Sequence, residues 1–246
     1  MQALSGLSGL SGICGGAAWS PASLTGLAPT LLPALSRTQG KLWQDSAKTV
    51  PATAAGDPVR VATCPFLGVD YTAPSDAARP LLWDEGGGLW SLLFDGVDDA
   101  LRCANGQVYS QPNTVGAAMA WLRSGSGLFE VAFDSDNTTY HFYARSNAGN
   151  THTINAGSEV NGSAVSAAFA TVTAYFSGAA SYVRRNGSSV LTGNPGTAAL
   201  RGIRAGEIRG GGVYANMRMA GLIPINTTLA DADRDSLEAY LTALRP

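Results

Sequence analysis

Short runs of aromatic and β-branched residues, separated by clusters of Gly, Asn, Asp and Ser, recur along the chain from Trp90 onward. This spacing is typical of antiparallel strands joined by tight turns. Alternation is clearest in residues 139–143, where Tyr140 and Phe142 would face one way and their neighbours the other. The pattern predicts an all-β fold, with strands near residues 90–94, 100–104, 115–122, 128–133, 139–145, 169–177, 180–185, 188–192, 200–209 and 217–225.

Two local signals add detail to this fold. The segment 181–191 carries Asn186-Gly187 between two apolar runs, and this dipeptide accepts the positive φ angles of a two-residue hairpin turn. Near the end of the chain four apolar residues follow a helical spacing, preceded by acidic residues that favour the start of a helix. These are Leu237, Tyr240, Leu241 and Leu244, after Asp231, Asp233 and Asp235. We expect one C-terminal helix over 229–244.

Composition favours one large β domain and makes nucleic acid an improbable partner. The 246 residues are 45% hydrophobic but only 14% charged, and they include 30 glycines, which suits a fold rich in turns. Since 16 basic residues face 18 acidic ones, the net charge of −2 gives no field that would hold a phosphate backbone. We therefore expect one domain, although two small ones would also fit this length.

Cysteine spacing and apolar run length exclude several other classes. Cys14, Cys64 and Cys103 are an odd number at wide spacing, so we expect reduced, packed thiols and no disulfide framework or zinc site. Every apolar run is shorter than the roughly 20 residues of a membrane-crossing helix. The first residues lack Lys and Arg, so we also expect no cleaved secretion signal.

The amino-terminal segment differs from the rest of the chain. Residues 4–12 repeat Leu-Ser-Gly three times, and Pro21, Pro29 and Pro33 then interrupt any regular ladder. The segment also contains the apolar residues Leu24, Leu27, Leu31, Leu32 and Leu35, which need a surface to cover them. We predict an extended arm over 1–40 that docks on a partner. The alternative is a loose tail, or a strip lying on its own sandwich.

Three segments resemble laminin G-like domains of the concanavalin A-like lectin and glucanase superfamily, especially versions from bacteria and their phages. The most specific runs from Ala78-Arg79-Pro80 through Trp90 to Phe94-Asp95-Gly96-Val97-Asp98-Asp99-Ala100-Leu101, and is similar to the family's "ARP…W-x-V-x-FDG-x-DD-x-L" signature. Residues 173–187 resemble its paired strands. Residues 219–241 resemble its closing strand and helix, with Ala230 where Ser usually caps.

The resemblance covers 41–246 and implies an antiparallel two-sheet jelly-roll sandwich, with Lys41-Leu42-Trp43 as its opening strand. A departure lies between Trp43 and Ala78, where many relatives carry "W-x-D-x-S-G-N-G" and this chain has instead the sequence of residues 60–67. That loop cannot be interpreted by analogy.

No catalytic motif is evident, so we commit to no catalytic, cofactor or metal residue. Hydrolytic members of the superfamily carry Glu-x-Asp-x-x-Glu, which supplies the two carboxyl groups of glycoside cleavage. The glutamates here stand singly, at Glu85, Glu130, Glu159, Glu207 and Glu238. His141 and His152 lie near no nucleophile signature, and we expect strand-surface or loop positions for both. The chain is predicted not to be an enzyme.

Two acidic loops and the tryptophans are the remaining candidates for binding. Asp95-Gly96-Val97-Asp98-Asp99 offers oxygens that suit calcium, but the same residues suit a turn in which carboxylates accept backbone N–H bonds. The loop 134–137 is of the same kind. Trp90 and Trp121 are expected in the core, whereas Trp19, Trp43 and Trp83 are less constrained and one of them could contact a sugar.

These observations favour a non-catalytic structural or recognition protein of a phage virion. It would display the sandwich, attach to other virion proteins through the arm and bind host glycans. The alternative is a bacterial secreted or surface carbohydrate-binding module. A homo-oligomer such as a trimer is left open, since no coiled-coil heptads occur.

Overall fold

A computed structural model describes residues 19–122, 129–136, 141–145, 151–164 and 167–246. Its strands are β1 Leu42–Trp43, β2 Val61–Thr63, β3 Asp70–Thr72, β4 Leu81–Gly86, β5 Leu89–Asp95, β6 Leu101–Tyr109, β7 Asn113–Trp121, β8 Phe129–Asp134, β9 His141–Arg145, β10 Thr151–Asn155, β11 Glu159–Ala164, β12 Ala170–Phe176, β13 Ser181–Arg185, β14 Ser188–Gly193, β15 Leu200–Ala205 and β16 Asn216–Ile225. The helices are a 3-10 turn Pro21–Ser23, α1 Pro33–Thr38 and α2 Asp231–Ala243.

Within the described residues the strands form two antiparallel sheets. The nine-stranded sheet has the order β1-β2-β3-β6-β15-β8-β9-β10-β11, and the seven-stranded sheet has the order β14-β13-β12-β7-β16-β5-β4. Their facing side chains share one hydrophobic core, which contains Phe94, Phe133 and Phe176. The predicted all-β, two-sheet sandwich is confirmed.

All ten strands predicted from Trp90 onward are present, together with the predicted opening strand. The strands that the sequence did not reveal are β2, β3, β4, β10 and β11. β2 and β3 have only three residues each, which is too short for a periodic signal. The alternation predicted for 139–143 falls on side chains outside the described part of the chain.

Strand β7 is buried along all nine of its residues. Val115 and Ala117 belong to the core between the sheets, whereas Ala118 belongs to a second core beneath α2. The helix lies so close to β7 that a Cβ atom on Gly116 would be 2.8 Å from Cδ1 of Leu241. The seven-stranded sheet is therefore the middle layer of three.

The hairpin and the C-terminal helix form as predicted. Asn186 and Gly187 have φ angles of 50° and 81° and join Arg185 directly to Ser188. Helix α2 is slightly shorter than the predicted 229–244, and Ala230 precedes it without a side-chain cap. No helix in the described ranges has both the length and the hydropathy to span a bilayer.

Residues 19–40 correct the predicted arm and its boundary at residue 40. Leu27 and Leu31 bridge to Ile225 and Leu222, so this segment pairs with the part of β16 that β5 does not reach. The hydroxyl of Tyr71 also donates to the carbonyl of Pro29 at 2.7 Å. The alternative of a strip on its own sandwich therefore holds for 19–40, while residues 1–18 lie outside the described part.

The cysteines within the described ranges agree with the prediction of reduced, packed thiols. Cys64 and Cys103 are both free and buried. The N–H of Thr30 donates to the sulfur of Cys64 at 3.2 Å, and burial raises the pKa of Cys103 to about 12. These thiols are structural. Cys14 lies outside the described residues.

Replacing Leu31 by Ala tests whether the amino-terminal segment is part of the domain. Leu31 is fully buried, so Leu31→Ala should lower the free energy of unfolding by about 3 kcal/mol. The matched control is Leu67→Ala, since Leu67 is 48% exposed and its loss should cost less than about 0.5 kcal/mol. Urea unfolding followed by circular dichroism measures both. Equal effects would contradict the integral role of this segment.

Candidate functional site

A row of polar side chains crosses the outer face of the nine-stranded sheet. Thr72 of β3 lies opposite Arg102 of β6, which lies opposite Arg204 of β15, which in turn lies opposite Asp134 of β8. Directly opposed residues of antiparallel strands point to the same face. Cys103, the neighbour of Arg102, lies in the core, so the row faces outward.

Glu207 holds the two arginines of this row. Its carboxylate is fully buried and accepts hydrogen bonds from Nε and Nη2 of Arg102, the second at 2.8 Å. Nη1 of Arg204 donates to the same carboxylate at 2.9 Å, and its Nε donates to Oδ1 of Asp136 at 2.7 Å. Bidentate, charge-assisted bonds of this kind fix the direction of each guanidinium. The row is therefore a rigid surface.

The acidic loop beginning at Asp134 has a structural role. Asp134 is fully buried and accepts the backbone N–H groups of Ser135 and Arg209, each at 2.6 Å. The hydroxyl of Ser135 donates to the carbonyl of Arg201 at 3.0 Å. The loop thus ties β8 to β15 and leaves Asp136 to bind Arg204. Asn137 lies outside the described residues.

A cavity of about 460 Å³ opens at one end of the polar row. Its walls come from β3, β6 and the residues beside them, namely Arg60, Val69, Asp70, Thr72, Ala73, Pro74, Arg102, Ala104 and Asn105. Asp70 accepts the hydroxyl of Thr63 at 2.6 Å and lies 2.5 Å from Nζ of Lys48. The amide nitrogen of Asn105 donates to the hydroxyl of Tyr109 at 2.9 Å. The polar groups of the walls are therefore held in place by the protein itself.

Some donors in this cavity stay available to a ligand. Among the described residues the hydroxyl of Thr72 and Nη1 of Arg102 have no protein partner, and Asn105 keeps one amide hydrogen. Small apolar surfaces lie beside these donors, at Val69, Ala73, Pro74 and Ala104. Fixed polar groups among apolar surface are typical of small-molecule sites.

The ion cluster at Glu207 is the part that sequence reasoning missed. Arg102 and Arg204 each lie between two buried strand residues. This position was the one feature of the sequence that could have indicated charged side chains on the outer face of the sheet. Glu207 lies outside any strand, more than 100 positions from Arg102, so its partner could not be read from local spacing.

Asp95, Asp98 and Asp99 do come together after β5, with carboxylate oxygens within 4.8 Å of one another. Oδ1 of Asp95 accepts the N–H of Val97 at 2.7 Å, and Oδ2 of Asp99 accepts the N–H of Asp95 at 2.9 Å. Two of the three carboxylates therefore cap the turn. These bonds fit the turn that the sequence offered as the alternative to calcium, and they do not test calcium binding.

The other sequence candidates are dispersed. His152 is a buried strand residue, contrary to the surface or loop position predicted for it, and burial lowers its pKa to about 4. His141 lies in β9, with its side chain outside the described part. Glu85 pairs with Arg218 and Glu238 with Arg184. Glu130 is buried, whereas Glu159 is exposed.

The tryptophans divide as the sequence suggested. Trp121 is buried, and Trp90 packs against the core with the guanidinium of Arg37 4.0 Å from its ring. Trp19 packs against Tyr240, with ring centroids 5.9 Å apart and ring planes tilted by 60°, and Trp43 is half-buried. Trp83 is 40% exposed.

Comparisons with known proteins support the fold. No family model matches the sequence, and no curated protein matches it. The structure is similar to that of Trypanosoma rangeli sialidase, with a TM-score of 0.59 and 11% identity over 89% of this chain and 33% of the sialidase. It is also similar to domain 4 of AbnA, a GH43 extracellular arabinanase from Geobacillus stearothermophilus solved with arabinotriose, with a TM-score of 0.53 and 12% identity over 86% of this chain and 98% of that domain.

The chain thus spans a third of the sialidase and nearly all of the arabinanase domain. At these identities the likeness shows a shared β-sandwich fold and no particular activity. The narrower laminin G-like resemblance is not tested by these structures.

Asp99 predicts a pH dependence of stability. Burial raises its pKa from 3.8 to about 7, an effect partly opposed by the N–H of Asp95. The contribution of Asp99 to stability is therefore complete below pH 4 and is lost as the pH rises through 7. Asp99→Asn should remove this slope and gain up to about 4 kcal/mol over the wild type at pH 8, because the pKa is raised by about three units and each unit corresponds to about 1.4 kcal/mol.

Thermal unfolding of both proteins between pH 4 and 8 measures this difference. Asp76→Asn is the control, since its side chain is 78% exposed. Parallel profiles of wild type and Asp99→Asn would contradict the assignment. A rise in the wild-type midpoint with calcium at pH 8 that Asp99→Asn lacks would instead support a metal at this turn.

Proposed function

We propose that this chain is a non-catalytic module that binds saccharides at the open face of the nine-stranded sheet. The observation that carries the proposal is the cavity beside the polar row, where Thr72, Arg102 and Asn105 present donors that the protein leaves available. Adjacent sugar hydroxyls accept such donors, and the small apolar walls suit the C–H surfaces between them. The volume falls in the range of small-ligand pockets.

The similarity to the arabinanase domain supports this choice. That domain was solved in complex with arabinotriose, and the structural alignment covers nearly all of it. The net charge of −2 supports a partner other than nucleic acid. No cofactor is needed for binding of this kind.

The carboxylates of this face support a role without catalysis. A glycosidase needs one carboxyl group that contacts the leaving group and a second that acts as nucleophile or base. Glu207 is fully buried between two guanidinium groups, and Asp134 is bound to backbone N–H groups. Asp70 is the one carboxyl group among the residues that line the cavity, so the pair that this chemistry requires is not found among them.

For the biological setting we propose display on a phage particle, on the basis of the laminin G-like resemblance of residues 78–101. Attachment to other virion proteins would use residues 1–18, because residues 19–40 are already bound to their own sandwich. The alternative is a bacterial secreted or surface carbohydrate-binding module. Mass spectrometry of purified virions separates the two settings.

A glycan array, probed with and without calcium, tests saccharide binding. We expect the wild type to bind a restricted set of glycans. Isothermal titration with the strongest of them should show roughly thirtyfold weaker binding by Thr72→Val/Asn105→Ala, since two hydrogen bonds are lost and each costs about 1 kcal/mol. Leu67→Ala is the control outside the cavity and should bind like the wild type. Silence across the array in both conditions would contradict the proposal and favour a purely architectural role.

A further inference from the structure

The outer face of the seven-stranded sheet is only partly covered by α2. The helix lies over Gly116, and Leu244, just beyond its end, reaches Gly221 of β16. Trp83 lies on β4, the edge strand at one side of this sheet, and 40% of its surface is exposed. Its neighbour Leu82 is fully buried in the core between the sheets, so the indole of Trp83 points outward.

Fixed polar groups lie next to this indole. Ser91 is directly opposite Trp83 on β5, and its hydroxyl donates to Oε1 of Glu85 at 2.6 Å. Nη1 of Arg218 donates to Oε2 of the same carboxylate at 2.5 Å. The side chain of Glu85 is 3% exposed and that of Arg218 is 27% exposed. Glu85 thus anchors the guanidinium, while part of the Arg218 side chain stays exposed to solvent.

Arg218 is held on a second side by an aromatic ring. Its guanidinium carbon lies 5.1 Å from the ring centroid of Phe169. Among the described residues Nη2 of Arg218 has no protein partner, so it remains a donor for a ligand. The exposed indole and the immobilised donor are linked through Ser91 and Glu85, and together they offer one apolar surface and one directional hydrogen bond.

We propose that Trp83 and Arg218 form a second saccharide-binding surface, separate from the cavity of the nine-stranded sheet. Trp83 stacks against the apolar face of a pyranose ring in a β-linked, equatorially substituted chain. Arg218 donates Nη2 to a ring hydroxyl. Aromatic rings complement such C–H faces because the contact buries apolar area at little conformational cost.

A protein partner fits this surface less well. Stable interfaces bury about 800 Å² on each partner, whereas the large hydrophobic side chains exposed on β4 are Leu81 and Trp83 alone. Addition of a strand beside β4 is also blocked at Leu82, whose backbone N–H and carbonyl are bonded to Asp57 and Gly56.

The test uses cellohexaose and chitohexaose as probes, with binding followed by isothermal titration and tryptophan fluorescence. We expect the wild type to bind at least one probe, Trp83→Ala to bind it at least tenfold more weakly, and Trp83→Phe to keep part of the affinity. Leu67→Ala, at an exposed site elsewhere, should match the wild type. Circular dichroism confirms that each variant is folded.

The Thr72→Val/Asn105→Ala variant distinguishes this surface from the cavity. In this variant the tryptophan fluorescence change on addition of the probe should persist, because Trp83 does not line the cavity. No binding of either probe by the wild type, or equal binding by Trp83→Ala, would overturn the proposal. Loss of probe binding in the cavity variant alone would also overturn it, while leaving the proposed function in place.

Discussion

The architecture depends on the burial of β7 from both sides. A strand with one solvated face would alternate polar and apolar residues, but β7 reads Asn-Thr-Val-Gly-Ala-Ala-Met-Ala-Trp and is buried throughout. Its small residues allow α2 to approach closely on one side, while the nine-stranded sheet packs on the other. Around β7 the seven-stranded sheet is therefore covered on both faces.

The outer face of the nine-stranded sheet is shaped by the pairing of its charged side chains. Charged side chains there must be paired wherever they are covered, and Glu207 is covered completely. By binding Arg102 and Arg204 together, it orients both guanidinium groups without leaving a carboxylate exposed. A surface prepared in this way loses little conformational freedom when a ligand arrives.

The sequence predicts what is local and misses what is distant. Apolar periodicity predicts ten strands from Trp90 onward but not β10 and β11, and the Asn186-Gly187 turn follows from the backbone angles these residues accept. The pairing of Leu31 with Leu222 joins residues about 190 positions apart, and no local pattern shows that part of β16 lacks a partner. The sequence therefore showed that residues 19–40 need a surface to cover their leucines, but it did not show that this surface is β16 of the same chain.

The candidate sites show the same division. The turn at Asp95 was visible because its residues are contiguous, whereas the cluster of Arg102, Arg204 and Glu207 and the cavity beside it appear only when β3, β6 and β15 align. Trp83 was an open candidate in the sequence. The structure adds its outward direction and the anchored Arg218 near it.

Hydrogen exchange followed by mass spectrometry, with and without a bound saccharide from the array, tests the central claim most directly. If the open face of the nine-stranded sheet is the ligand surface, protection should increase in residues 69–74 and 101–105. Protection confined to α2 and β7, with those two segments unchanged, would contradict the account.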